Sequence, residues 1–151
     1  MSLPLVVVWL HLLGVVVWIG GLVYQTHVLL PAARRGGVAP FADAARRARP
    51  ATWTAVAVVV LTGFYNVTRL GPVERVMESG AGLLLAGKFM LVLVAVAVAG
   101  QRDFAQVPRL QRVLSEGASP GPALAAIGWL DRIVLLLAAA ILYLGLAVSR
   151  A

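Results

Sequence analysis

Four long apolar runs constrain the fold of this chain more than any other feature of its sequence. They cover approximately residues 3–30, 52–70, 83–100 and 123–148. A helix needs about 20 apolar residues to cross the hydrocarbon core of a bilayer. Hydrophobic residues make up 61% of the 151 residues, against about 45–50% in soluble domains. The sequence therefore predicts an all-α membrane protein, in which residues 1–151 form one domain, an antiparallel bundle of four transmembrane helices.

The distribution of arginine predicts the orientation of this bundle. The connection over residues 31–51 carries five arginines and that over residues 101–122 carries three. The positive-inside rule places both connections in the cytoplasm and both termini outside, in a bacterial-type inner membrane. Residues 40–49 are expected to form a short basic helix among the lipid headgroups, or a solvated loop. Topology and lipid explain the net charge of +7, so the expected partner is the lipid bilayer and not nucleic acid.

A histidine, His11, lies among the valines and leucines of the first apolar run. Ionisable groups are costly in hydrocarbon, and their default interpretation is an inward-facing functional group. Helical spacing places Gly14, Trp18, Leu22 and Gln25 on the same stripe as His11. Gly14 makes this stripe a notch that another helix or a flat ligand can approach closely. With the N-terminus outside, His11 lies about 12 Å below the outer end of its helix.

Polar residues of the other runs are predicted to reach the same level. Lys88 is as far from the outer end of the third helix as His11 is from that of the first. An alternative is that the Thr and Asn side chains only bond between helices, and that Lys88 reaches out to the headgroups. We predict a cofactor site in the outer half, formed by His11, Gly14, Trp18, Thr62, Asn66, Arg69, Lys88 and Tyr143.

The remaining polar residues receive structural interpretations. His27 lies about 24 Å along the helix axis from His11, so the two cannot share one metal or haem, and His27 is expected at the cytoplasmic edge. Asp131 and Arg132 lie at that end and are expected to pair with each other or with His27. The acidic residues of the connections, Asp103 among them, are expected to stay solvated, and no Ser-His-acid set indicates nucleophilic catalysis.

Two ligands suit a site with one imidazole. Copper prefers imidazole with soft Met or Cys ligands, and because the chain has no Cys and only three Met, a His11–Met90 pair is the available combination. Haem b needs one axial histidine, an apolar slot beside small residues, and cations for its propionates. His11, Gly14, Trp18 and Tyr143, with Lys88, Arg69 or Arg75 as cations, favour haem b modestly over the bare metal.

Three segments carry a family resemblance. HLLGVVVWIGGLVY at residues 11–24 looks like the first-helix signature of the CopD-type membrane proteins, and its spacing also resembles the HemJ-type protoporphyrinogen oxidases. VVVLTGFYNV at residues 58–67 is similar to the Thr-Gly second helix of the CopD pattern. AGKFMLVLVAVAVAGQRDFAQVPRL at residues 86–110 is similar to its lysine-led third helix. The resemblance implies four membrane helices and a role in copper handling, or, through the HemJ-type relatives, haem binding at His11 with Lys88 important.

Three functions follow as hypotheses. The first is binding of haem b, or of a metal, through His11 for redox or haem-linked work, with a haem-dependent oxidoreductase activity left open. The second is transport or handling of copper ions across the membrane. The third is a structural or assembly role in a respiratory membrane complex. A homo-oligomer and a respiratory or periplasmic partner are further expectations.

Overall fold

The computed structural model describes residues 2–69, 71, 78 and 80–150. This part of the chain forms four helices and contains no strand. Two of the helices include a five-residue π-helical segment. We label them α1 (Leu3–Tyr24, the π segment Gln25–Leu29, and Leu30–Arg34), α2 (Val38–Thr68), α3 (Gly80–Gln101, the π segment Arg102–Gln106, and Val107–Ser115) and α4 (Gly121–Arg150).

The helices are longer than the apolar runs that predicted them. Helix α2 begins at Val38 rather than near residue 52, so the basic segment 40–49 is its first part and neither a separate helix nor a loop. Helix α3 likewise continues to Ser115, through a segment predicted to be a connection. The reason is amphipathic packing, because Val107 and Leu110 of the extension are buried while Arg109 between them is exposed. Residue 70, the predicted end of the second run, and Arg75, a predicted cation for haem, lie outside the described residues.

Each of the four helices is long and apolar enough to cross a membrane. Large aliphatic side chains remain on the surface: Leu61 is 69% exposed, Leu83 is 81% exposed and Leu136 is 72% exposed. Lipid is the solvent in which such surfaces are stable. The chain is therefore a multi-pass membrane protein.

Two tightly packed hairpins make up the bundle, α1 with α2 and α3 with α4. The first hairpin turns at residues 35–37 and the second at residues 116–120, and each turn contains a glycine at positive φ (Gly36 at 117° and Gly117 at 68°). Such a glycine ends a helix without the steric cost that a Cβ would bring. In the first hairpin His11 bonds to Thr62 and Gly14 packs on Val59, a register in which the two helices run in opposite directions.

The π segments occur at equivalent places in α1 and α3. Each is followed by one aliphatic residue and then by a proline, Pro31 or Pro108. A proline has no N–H, and its ring crowds the carbonyl group four residues earlier. In the π segments the N–H of Leu30 bonds to the carbonyl of Gln25, and that of Val107 to the carbonyl of Arg102. The wider turn accommodates the proline and rotates the side chains before it.

Packing differs between the two ends of the bundle, which we name by their chain features. The turn end carries both hairpin turns, and the terminal end carries Leu3, Thr68, Gly80 and Arg150. A core at the turn end joins all four helices, with Phe41, Leu110 and Ile127 at most 2% exposed. At the terminal end, by contrast, no residue within 3–13, 60–69, 83–94 or 139–147 is buried. The two hairpins therefore associate mainly at the turn end.

Candidate functional site

His11 lies between α1 and α2 in the terminal half of the bundle. Its Nδ1 is 2.9 Å from the hydroxyl oxygen of Thr62. That hydroxyl has a single hydrogen, which it donates to the carbonyl oxygen of Val58 one turn earlier. Nδ1 is therefore the donor to Thr62, and the lone pair of the imidazole is on Nε2. Nε2 has no hydrogen bond to any described residue, so it is the atom available to a ligand.

A glycine of α2 makes room for this imidazole. A Cβ built on Gly63 would lie 3.5 Å from Cε1 of His11, so the ring edge packs directly on the backbone of α2. The contact with Gly63 and the bond to Thr62 together fix the orientation of the ring. Such a partner on one nitrogen is the usual device that orients a ligating histidine. Thr62 was predicted for this site from the sequence, whereas Gly63 was not.

Lys88 of α3 is half-buried near the same level. Its side chain runs over Gly145 of α4, where a Cβ built on the glycine would be 3.2 Å from Nζ. Lys88 forms no ion pair with a carboxylate of the described residues. The structure thus brings His11 and Thr62 together, whereas the side chain of Lys88 contacts α4.

Other residues predicted for the site lie elsewhere. Met90 follows Lys88 by two positions, about 200° around the helix, and is 61% exposed. Tyr143 precedes Gly145 by two positions, so it lies on the opposite side of α4 from the glycine that Lys88 contacts, and it is 72% exposed. Arg69 is exposed at the end of α2, and Asn66 one turn before it is partly buried.

The glycine notch of α1 is filled by α2. A Cβ built on Gly14 would be 2.9 Å from Cγ2 of Val59 and 3.2 Å from the carbonyl oxygen of Ala55. Gly14 therefore permits close packing of two helices. Trp18, one turn further along the same stripe, is buried in the core and faces a different group of residues.

That second group is a cluster of buried polar side chains centred on Arg102, which we call the Arg102 cluster. Arg102 donates from Nε to Oδ1 of Asp131 (2.9 Å), from one terminal nitrogen to Oδ1 of Asp103 (2.6 Å), and from the other to Oε1 of Gln25. The indole N–H of Trp53 donates to Oδ2 of Asp103 (3.0 Å). Each of the four helices thus supplies at least one member of the cluster.

Arg49 of α2 closes the cluster from outside. Its guanidinium donates to the carbonyl oxygen of Asp103 (2.7 Å) and lies 5.2 Å from the ring centroid of Phe104. Phe104 in turn packs against Trp53, with their ring centroids 5.2 Å apart. These contacts hold the π segment of α3 against α2. Arg102 is 5% exposed and Asp103 is 3% exposed, so both charges are removed from solvent.

A small cavity adjoins the Arg102 cluster. Its volume is about 20 Å³, and its lining includes Trp18, Gln25, Asp103 and Asp131. Asp131 is fully buried, yet its Oδ2 receives no hydrogen bond. The neighbouring Thr26 donates its hydroxyl hydrogen to the carbonyl oxygen of Leu22 instead. A cavity of this volume holds one water molecule.

Two predictions about these polar residues were wrong. Asp103, expected to be solvated in a connection, is buried inside α3. Asp131 pairs with Arg102 and not with Arg132 or His27. Arg132 is exposed, and its guanidinium lies 5.9 Å from the ring centroid of Trp129.

His27 is exposed and bonds to a backbone carbonyl of its own helix, that of Val23, at 3.0 Å.

The sequence contained one signal for the Arg102 cluster. The apolar spacing continues through Val107 and Leu110, so α3 extends past Arg102 and carries its charge into the bundle. The partners of Arg102 have no comparable signal.

The described residues contain no group of three His, Asp or Glu side chains that could hold a metal ion, and the sequence has no cysteine. A metal bound at His11 would therefore have one imidazole of this chain as its protein nitrogen ligand.

A bundle of four membrane-spanning helices, joined at one end by a buried ion cluster, defines a small polytopic membrane protein. The chain belongs to the CopD family, described as copper resistance protein D, whose family model matches residues 42–148. The matched region contains Lys88, Arg102 and Asp131, whereas His11 lies before it. The resemblance to CopD proteins predicted from the sequence is thus confirmed. No curated protein and no solved structure matches the sequence significantly.

Proposed function

We propose that this protein handles copper ions at the membrane and that His11 is a ligand for the ion. The observation that carries the proposal is the match to the copper resistance protein D family over residues 42–148. The four helices long enough to cross a bilayer agree with a membrane-bound role. Copper is here the cargo of the protein, bound in passage.

The environment of His11 supports its role as the ligand. Nε2 is the unprotonated nitrogen, and neutral imidazole is the form that binds copper. The surrounding terminal half is not packed into a core, so an ion can reach this nitrogen from between the hairpins. A copper ion needs at least one more donor. Met90 is exposed on the outside of α3, and in a homo-oligomer a second copy of the chain could supply it or a second His11.

The orientation of the protein follows from its exposed arginines. Six arginines at the turn end are exposed on the surface: Arg34, Arg35, Arg46, Arg47, Arg109 and Arg112. By the positive-inside rule this end faces the cytoplasm. We propose that the protein lies in a bacterial inner membrane with both termini and the His11 site towards the outer side.

The copper proposal is tested on protein purified from cells grown with added copper. We expect wild-type protein to retain copper and His11→Ala to lose most of it. His27→Ala is the matched control, because His27 is exposed and bonds only to its own helix. Copper-dependent growth of cells that express each variant is expected to follow the same order. Equal copper in wild type and His11→Ala, or no copper in wild type, would overturn the proposal.

A second candidate function is haem b binding at His11. Its specific support is the single oriented imidazole in an unpacked region, with the cation of Lys88 at the same level. His11 would be the axial ligand, and Lys88 and Arg69 would hold the propionates. Bound haem would supply a one-electron redox centre. The absorbance spectrum separates the candidates: a Soret band that is lost in His11→Ala but kept in His27→Ala indicates haem, and its absence from wild-type protein rules this candidate out.

A further inference from the structure

The two buried carboxylates of the Arg102 cluster have different hydrogen-bond partners. Both carboxylate oxygens of Asp103 accept a bond, one from Arg102 and the other from Trp53. Asp131 accepts one bond on Oδ1, from Arg102, and none on Oδ2. An ionised carboxylate can only accept hydrogen bonds, whereas a protonated one also donates. A buried, ionised oxygen with no donor is strongly disfavoured, so Oδ2 of Asp131 is the natural position for a proton.

The charges around the cluster lead to the same assignment. Asp103 and Arg102 form one ion pair, with 2.6 Å between oxygen and nitrogen. An ionised Asp131 would add a second negative charge to the single guanidinium of Arg102. Helix α1 presents only uncharged groups on this side, Gln25 and Thr26. The hydroxyl of Thr26 is within hydrogen-bonding reach of Asp131, and because its hydrogen goes to the carbonyl of Leu22, its oxygen can accept a bond from a protonated Oδ2. Two further charged groups lie near the cluster, and neither is paired with Asp131: Arg49 bonds to the carbonyl of Asp103, and the guanidinium of Arg34 packs on Gly128. His27, on the same end of α1, bonds to its own helix.

The cavity next to Asp131 has room for a proton acceptor. Its volume of about 20 Å³ is enough for one water molecule. The water would touch Asp131 and Gln25, both of which line the cavity. The cluster also coincides with both π segments, which begin at Gln25 and at Arg102. Such distortions of a helix are frequent at functional sites.

We propose that the Arg102 cluster is a proton-binding site, in which Asp131 holds one exchangeable proton next to a cavity water. On release, the O–H bond at Oδ2 breaks and the proton passes to the water, and the carboxylate that remains is stabilised by Arg102. Membrane proteins that move ions commonly place exchangeable protons on buried carboxylates of this kind. This inference does not depend on whether copper or haem binds at His11.

Infrared spectroscopy of the full-length protein in detergent tests the assignment directly. The carbonyl stretch of a protonated carboxylic acid is separate from the bands of carboxylates, and it shifts when the proton exchanges for deuterium. We expect wild-type protein near neutral pH to show this band and Asp131→Asn to lose it. Asp43→Asn is the control, because Asp43 is paired with Arg46 and Arg47 on the surface, and it is expected to keep the band.

Stability provides a second, independent measurement. Asparagine resembles a protonated aspartate in shape and charge, so Asp131→Asn should unfold close to the wild-type midpoint. Asp103→Asn removes the ionised partner of Arg102, and we expect it to unfold much earlier or to fail to fold. The proposal is overturned if wild-type protein lacks the band, if Asp131→Asn keeps it, or if Asp131→Asn is as unstable as Asp103→Asn.

Discussion

Replacing Arg102 by methionine is the sharpest test of how the two hairpins are held together. Methionine keeps a long, flexible side chain in place but removes the charge and every hydrogen-bond donor. Arg102 is 5% exposed and donates to Asp103, Asp131 and Gln25. After the change, Asp103 retains its buried charge without a cation beside it.

The structure indicates the size of this effect. A hydrogen bond to a charged group contributes about 1.5–3 kcal/mol, but those of one side chain are not additive. Removing one partner of a buried ion pair costs about 3–5 kcal/mol, because the other charge stays buried and uncompensated. We expect Arg102→Met to lower the free energy of unfolding by that amount. The loss should appear as separation of the hairpins, since Arg102 links α3 to α1 and α4.

Unfolding by titration with a denaturing detergent, followed by circular dichroism, measures this loss. Arg132→Met is the matched control, because Arg132 is an exposed arginine whose guanidinium lies over the ring of Trp129. We expect it to change the free energy of unfolding by about 1 kcal/mol or less. Adding Asp103→Asn to Arg102→Met removes the unpaired charge and should recover part of the stability. An Arg102→Met variant that unfolds together with wild type and Arg132→Met would refute the reasoning.

Two further predictions concern packing and a single hydrogen bond. Gly14→Ala places a methyl group 2.9 Å from Val59 and should lower the free energy of unfolding by about 1–3 kcal/mol through overpacking. In the control, Gly20→Ala, the new methyl group meets nothing within 4 Å, and the unfolding midpoint should stay unchanged or rise. Trp53→Phe removes the N–H that bonds to Asp103 and should cost about 1–3 kcal/mol, whereas the same change at the exposed Trp129 should have little effect. Both pairs are compared in the same detergent titration, and equal midpoints within either pair would contradict the corresponding prediction.

The sequence by itself determined the class of the protein. The number of helices and their membrane character follow from apolar runs, whose length is a local property that needs no knowledge of the fold. That His11 and Thr62 belong to one site could also be predicted from the sequence, since both residues are expected at a similar depth in the membrane on neighbouring helices. The ends of the helices were harder to predict from the sequence, because polar residues such as Arg46 and Arg109 occur on the exposed face of an amphipathic helix as readily as in a loop.

Only the tertiary structure decided which polar residues are buried. Asp103 is bonded to Trp53, 50 residues away, and Arg102 to Asp131, 29 residues away. A charged residue next to the end of an apolar run is ordinarily solvated, and nothing local distinguishes Asp103 from such residues. Its burial depends on the docking of α2 and α4 against the π segment of α3. The Arg102 cluster exists because four helices meet at that point, and a one-dimensional pattern does not record where helices meet.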